Sequence, residues 1–354
     1  MSKRIRVGLI GAGANTRLRH IPGLLAIEGV EISAVCNRRP ESTEAVARDF
    51  KVPRAYAQWQ QLLADRDIDA VVIGTWPYLH CPITIAALEA GKHVLTEARL
   101  SMNAAEGHRM LAAARQHAHL VAQVVPSPFG LKGHDVMKSL IASDYLGAWR
   151  EVHVQSFGAA LADSTAPLSW RQDADLSGVN MLTLGIVHET LTRWAPPPVQ
   201  VQAQIHAHVA TRVDPHTGVL RQVGTPDTVQ ILAVLANGAR ATYHFSAATP
   251  FGQTAVIHLF GSDGALSYDL LTDRIHGASK RAGQSPGRAT DLPEIAIPTD
   301  QARTWTVEAD FIAAIRDSRP IEFTTFEAGV AYMEFTEAVA RSAKTGERVP
   351  LPLS

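Results

Sequence analysis

The sequence predicts an α/β protein in two parts: a parallel, doubly wound sheet first, and a β-rich, largely antiparallel region after it. Three observations carry that expectation. Up to Val125, short apolar runs alternate with amphipathic stretches, as in successive βαβ units. The first run ends in Gly11-Ala12-Gly13, a tight turn that leads into a helical pattern. After the breaker cluster Pro126-Ser127-Pro128 the apolar runs lengthen and hairpin signals separate them. A chain of 354 residues also exceeds what one hydrophobic core usually holds. The expected domains are therefore residues 1–125 and 126–354.

In the first part, strands are expected at 5–10, 31–36, 70–74, 93–96 and 120–124, with helices at 41–50, 58–64, 83–90 and 104–117. Each strand but the last feeds a loop at the carboxyl edge of the sheet, where open α/β sheets bind ligands. In the second part, helices are expected at 131–143 and 181–194, and strands at 149–157, 199–213, 228–235, 239–245, 254–260 and 265–269. Asn237-Gly238 and Ser262-Asp263-Gly264 have the composition of hairpin turns, which points to an antiparallel meander. Residues 276–298, rich in Gly, Ser, Pro and Arg, read as a surface loop, and two helices close the chain at 306–316 and 325–345.

Composition narrows the function classes. A formal charge of -1 provides no global field for nucleic acid or anionic lipid, so neither is an expected partner. Only Cys36 and Cys81 are present, without metal-ligand spacing, which argues against a disulfide framework or a structural metal site. From Met1 the chain enters the first strand without an apolar targeting segment, and no run is long enough to span a membrane. A cytoplasmic protein acting on a small molecule, with no metal, is the expectation.

The turn after the first strand points to a dinucleotide. Gly11 and Gly13 let the chain turn tightly, and the backbone at Ala14 and Asn15 can approach a diphosphate at the helix start. Taken alone, such a turn is only a turn. At the end of the first of several βαβ units it reads as the cofactor loop of a Rossmann domain. The second strand ends in Asn37-Arg38-Arg39, where an acid would bind the ribose of NAD. Arginine suits a 2′-phosphate, so NADP(H) is favoured; NAD(H) stays possible if Arg38 and Arg39 are merely solvated.

Several segments together resemble the Gfo/Idh/MocA oxidoreductase family: Gly8-Leu9-Ile10-Gly11-Ala12-Gly13, Ile73-Gly74-Thr75-Trp76-Pro77-Tyr78-Leu79-His80, Gly91-Lys92-His93-Val94-Leu95-Thr96-Glu97, Trp170-Arg171 with Ser177-Gly178, Arg193-Trp194, and Arg341 to Val349. The match is collinear over nearly the whole chain. It implies a Rossmann domain and an α/β domain whose large, open sheet pairs subunits into a homodimer or homotetramer. It also implies oxidation or reduction of a carbinol or carbonyl on a sugar, inositol or related cyclic polyol. Thr75, Trp76 and His80 match a loop lining nicotinamide and ribose, and Glu97 matches the glutamate of the family's Glu-Lys-Pro motif.

The pattern then breaks. Ala98 stands where the family has its catalytic lysine, and Arg99 where it has proline. An ungapped alignment through Gly185 and Arg193-Trp194 puts Thr183, Val187 and Thr190 at the positions of the family's Asp, His and Asp. His188 falls one residue late, which on an α-helix is a rotation of about 100°. Hydride transfer to or from a carbinol needs a partner that takes or gives the hydroxyl proton, ideally with a pKa near working pH. His188 is the first candidate, as acid/base or substrate ligand, against the alternative of a hydrogen-bonded core histidine. Glu97 is a second, if not structural or ribose-contacting. Arg99 could polarise a carbonyl or hold a carboxylate but stays protonated, and it could equally form a salt bridge. His80 is a candidate to contact cofactor or substrate, with capping of its own helix as the competing reading. Trp170 and Arg171 are candidates to stack on and grip a sugar, with Tyr78 and Asn180 as further polar contacts; ordinary packing is the competing reading of each. Asp214-Pro215-His216 reads as a turn, not a metal cluster. Three functions follow from these residues: an NAD(P)-dependent oxidoreductase on a polyol, a redox-neutral enzyme that retains its cofactor, or a dinucleotide-binding protein without catalysis.

Overall fold

The structure is a computed structural model describing residues 4–353. Met1 to Lys3 and Ser354, the ends of the two expected domains, lie outside the described residues. The chain forms two compact units: Met1–Pro126 with Thr306–Met333, and Ser127–Trp305 with Glu334–Ser354.

The first unit starts with β1 (Ile5–Ile10), followed by a π-helical turn (Thr16–His20) that continues into α1 (Ile21–Leu25). Next come β2 (Val30–Cys36), α2 (Pro40–Asp49), β3 (Arg54–Ala55), α3 (Trp59–Ala64), β4 (Ala70–Ile73), α4 (His80–Glu89), β5 (His93–Thr96), α5 (Ala104–Gln116) and β6 (Ala122–Val124). The six strands are parallel in the order β3-β2-β1-β4-β5-β6. Helices cover both faces of such a sheet, so its central strands are apolar throughout rather than alternating. Val7 and Leu9 of β1 and Ala70 to Ile73 of β4 are fully buried or nearly so. Helix boundaries follow local chemistry: Pro40 occupies the first turn of α2, and Asn103 caps α5 by accepting from the Glu106 N–H at 2.9 Å.

The second unit contains α6 (His134–Ala142), β7 (Trp149–Phe157), the short α7 (Ala174–Ser177), α8 (Leu184–Thr192), β8 (Pro198–His206), β9 (Thr211–Val213), β10 (Leu220–Gln222), β11 (Thr228–Leu235), β12 (Arg240–Ser246), β13 (Thr254–Gly261), β14 (Gly264–Asp269), β15 (Arg274–Ser279) and β16 (Glu294–Ile295). Helix α9 (Val307–Asp317) then belongs to the first unit, α10 (Phe326–Thr345) spans the division between the two, and β17 (Val349–Pro350) ends the second. A nine-stranded sheet runs β16-β15-β14-β13-β7-β12-β11-β8-β17. All its pairs are antiparallel except β12 with β7, so it is mixed and mostly antiparallel. One face packs a core of Val152, Val154, Ile231, Tyr243, Phe245, Ile257 and Leu259 against Leu184, Val187 and Phe335.

Two sequence expectations need correction here. The run 199–213 is two strands, because β9 leaves the large sheet and pairs with β10 in a separate two-stranded sheet. The stretch 276–298 is not all loop: β15 reaches Ser279 and β16 pairs Ile295 with Ile275. Glycine and serine content concealed β15 and the edge strand β16. Among the described residues no helix is long and apolar enough to cross a membrane.

Candidate functional site

At the carboxyl end of β1, Gly11 sits at φ +87, and a Cβ there would lie 2.6 Å from the Thr75 nitrogen. The loops after β1 and β4 touch at this point, so only glycine fits the conformation and the space. Gly13, Ala14 and Asn15 are exposed. A Cβ on Gly13 would meet nothing nearer than the Gly74 carbonyl oxygen at 4.0 Å. The helix that follows presents first-turn amides without intrahelical partners and the positive end of its dipole. Open ground above Gly13 together with those amides fits a diphosphate.

Asn37, after β2, is committed internally. Its Oδ1 accepts from the Ala12 N–H at 2.6 Å, and its Nδ2 donates to Ser42 Oγ at 2.8 Å. The side chain thus staples the glycine loop to the start of α2. Arg38 and Arg39 are exposed, and the Arg38 guanidinium lies 5.5 Å from the centre of the Trp76 ring. These two side chains bridge the loops after β2 and β4 on either side of the glycine turn. Buried Thr75 Oγ1 has no hydrogen-bond partner among the described residues, an orphan polar atom in the loop beside Gly11. Tyr78 is half-buried in the 3-10 turn Pro77–Leu79.

His80 begins α4 and points inward. Its Nε2 is 2.9 Å from the Thr75 carbonyl and its Nδ1 2.8 Å from the Arg99 carbonyl, so it ties the β4 loop to the β5 loop. Burial lowers its pKa, outweighing the two carbonyls and nearby Glu97, which raise it.

The strand β5 ends at Thr96, followed by Glu97, Ala98 and buried Arg99. The Glu97 Oε1 accepts from Asn15 Nδ2 and from His20 Nε2, the latter at 3.0 Å. The other ring nitrogen of His20, Nδ1, is 2.5 Å from Glu308 Oε1. Burial opposes charge on Glu97, but the bonds and charge of His20, with Asn15, prevail and hold its carboxyl below the usual range. Burial likewise opposes charge on His20, yet Glu308 and Glu97 raise its pKa to about 9.

Sequence reasoning missed His20 and Glu308. The signal for His20 was a histidine on the face shared by Thr16 and Leu24, four residues to either side, where burial calls for apolar groups. For Glu308, 288 residues away, no local signal exists.

In the second unit His188 is 2 % exposed. Its ring stacks on Phe335 with centroids 3.6 Å apart, and its Nδ1 lies 3.1 Å from the Tyr243 hydroxyl. Burial pushes its pKa down to about 3. The neighbouring Glu189 pairs with Arg193 at 2.6 Å, and that pair holds the Ser127 N–H and the Ser127 and Phe129 carbonyls. Arg171 lies over the Trp170 ring at 4.3 Å, and the buried Asn180 donates to the Ser177 carbonyl at 2.7 Å. The Asp214 Oδ1 accepts from the His216 N–H at 2.8 Å, the geometry of a side-chain-closed turn. Among the described residues no group of three or more His, Cys, Asp or Glu could hold a metal ion.

Strand order and glycine turn define a dinucleotide-binding protein of the Rossmann class. A family model described as an oxidoreductase family with a NAD-binding Rossmann fold matches residues 5–124, and the GFO/IDH/MocA C-terminal domain matches residues 134–267. The chain belongs to the Gfo/Idh/MocA family and is an NAD(P)-dependent oxidoreductase. It is 26% identical over 352 residues to an uncharacterized oxidoreductase, ORF334, of Rhizobium meliloti, covering 97% of this chain and 98% of the other. It is also 26% identical to the 1,5-anhydro-D-fructose reductase of Ensifer adhaerens, covering 97% of each. Among solved structures, levoglucosan dehydrogenase in complex with NADH and levoglucosan superposes with a TM-score of 0.84 at 21% identity, covering 99% of this chain and 100% of the other.

Proposed function

We propose that this protein interconverts a carbinol and a carbonyl on a sugar-like or cyclic polyol, with NADP(H) preferred to NAD(H). The observation that carries the proposal is the carboxyl edge of the parallel sheet: Gly11 locked against Thr75, open ground above Gly13, and Arg38 and Arg39 exposed beside it. Support for the substrate class comes from relatives whose names specify an anhydrosugar reductase and a levoglucosan dehydrogenase. When bound, the nicotinamide gives or takes the hydride.

In this reading Gly13, Ala14 and Asn15 present backbone to the diphosphate. Thr75 and Trp76 line the adjoining loop, with the Thr75 hydroxyl finding its partner on the ligand. Arg38 and Arg39 take the 2′-phosphate, because Asn37 is already engaged with Ala12 and Ser42 and offers no carboxylate to a ribose.

Proton handling is assigned to Glu97 rather than to His188 or Arg99, as an ionised base that accepts the hydroxyl proton in the oxidation direction, since His20 and Asn15 hold its carboxyl below the usual range. Glu97 is a carboxylate at a strand end that shares an atom contact with Asn15 of the dinucleotide loop. His188 is enclosed by Phe335 and Tyr243 in the sheet core and neutral over the working range. Arg99 keeps its proton and serves better as a fixed positive charge. Trp170 and Arg171, stacked on one another, offer an aromatic face and a cation to a hydroxylated substrate.

The test is the ultraviolet absorbance of the reduced nicotinamide with a panel of anhydrosugars, ketoses and cyclic polyols, for wild type and Glu97→Gln. Substrate-dependent cofactor turnover that Glu97→Gln abolishes is the expected result. Conversion of substrate without net cofactor change would replace this proposal with a redox-neutral reaction. Full activity in Glu97→Gln would remove the proton role.

A further inference from the structure

The mechanism above makes no use of a buried histidine held between two acids. His20 is fully buried, with Glu308 Oε1 2.5 Å from one ring nitrogen and Glu97 Oε1 3.0 Å from the other. A neutral imidazole has one N–H and would turn a lone pair toward one of those carboxylates; only the imidazolium donates to both. The local backbone is shaped for this contact. The turn Thr16–His20 is π-helical, closed by the Ile21 N–H donating to the Thr16 carbonyl, so His20 lies at the end of a widened turn. A wide turn of this kind often marks a functional position. On the next turn, Gly23 leaves room for the acid: a Cβ there would lie 2.7 Å from Glu308 Oε2. Glu308 itself is 3 % exposed in the first turn of α9.

The groups therefore form a line, Glu308 to His20 to Glu97 to Asn15, ending in the first residues after the glycine turn. We propose that His20 is a positioning residue of the dinucleotide site: braced by Glu308, it holds the Glu97 carboxylate against Asn15 and so sets the start of the helix that receives the diphosphate. This inference rests on the dinucleotide reading above. Charge on His20 lets both ring nitrogens donate at once, one to buried Glu308 and one to half-buried Glu97, which also accepts from Asn15. The titratable groups facing His20 are Glu97, after β5, and Glu308, on α9; His80, at the start of α4, acts in turn on Glu97.

The experiment measures NADH and NADPH dissociation constants of the full chain from neutral to alkaline pH, for wild type, His20→Gln and Glu308→Gln, with melting temperatures in parallel. Wild type should bind tightly at neutral pH and lose affinity as His20 deprotonates near pH 9. His20→Gln should bind about tenfold or more weakly at neutral pH and lack that alkaline limb, since one charge-assisted bond is lost. Glu308→Gln keeps the shape and the Gly23 gap but removes one of the charges that raise His20, so its limb should move to lower pH by about one unit, while binding persists near neutrality. A structural role alone would lower the melting temperatures without moving the limb. An alkaline limb unchanged in Glu308→Gln, or still present in a folded His20→Gln, overturns the inference. Absence of nucleotide binding in wild type overturns the dinucleotide reading itself.

Discussion

Replacing Gly13 by alanine separates binding from folding. The φ of Gly13 lies outside the left-handed region, and the added methyl would meet nothing nearer than 4.0 Å, so the fold accepts it. In the unfolded chain alanine has less freedom than glycine, and stability should stay level or rise by about 0.4–1 kcal/mol. The methyl does, however, stand in the open ground over the helix start, where backbone must approach the diphosphate. Losing one charge-assisted hydrogen bond costs about 1.5–3 kcal/mol, which is roughly a 10- to 100-fold rise in Kd. Intrinsic tryptophan fluorescence titrated with NADPH and NADH gives the affinity, and a melting curve gives the stability. The companion Gly11→Ala should behave in the opposite manner. It forces a side chain into φ +87 and a 2.6 Å contact with Thr75, at a cost of about 2–5 kcal/mol in the thermal unfolding of the first unit. Wild-type affinity in a stable Gly13→Ala protein would refute the placement of the diphosphate, and with it the reading of the carboxyl edge.

Glu189→Ala should destabilise by about 3–5 kcal/mol, because it strands Arg193, whose side chain is 4% exposed, among the backbone groups of Ser127 and Phe129; an unaltered urea midpoint would contradict this. The pH dependence of stability has two limbs of opposite sign. His20, raised to about 9, contributes fully below its unfolded value near 6.5 and loses that contribution as pH climbs through 9, while His188 and His134, lowered to about 3 and about 4, cost stability as pH falls below 6.5. Urea midpoints across that range should fall on both sides, and His188→Leu should flatten the acid limb only. Arg38→Asp should lower NADPH affinity roughly 10- to 100-fold while leaving NADH binding near wild type; an unchanged ratio of the two dissociation constants would take Arg38 out of the 2′-phosphate role.

Elements whose pattern is local were readable in the one-dimensional text. The strands at 5–10, 93–96, 149–157 and 228–235 match their observed limits, because apolar runs bounded by Gly, Pro and Asn leave few other conformations. The turn at Gly238, with φ +86, was announced by Asn237-Gly238 for the same reason. What failed were features decided by partners distant in the chain. The parallel pairing of β12 with β7 brings residue 240 beside residue 151, and nothing in either strand encodes that neighbour.

At the site, the glycine turn and Arg38 were legible as residue types at the ends of the first two strands, whereas Trp76 and Glu97 were singled out only through the family resemblance. The environment of each titratable group was not legible. His188 promised a proton carrier by its identity, yet Phe335 and Tyr243, far away in sequence, bury it and hold it neutral. His20 offered only a polar residue on a buried helix face, and Glu308, arriving from the other end of the chain, gives it a charge. Composition and short-range pattern thus determine which chemistry a chain carries and where its strands end; tertiary structure decides which of those groups are charged, because charge depends on burial and on neighbours that only folding brings together.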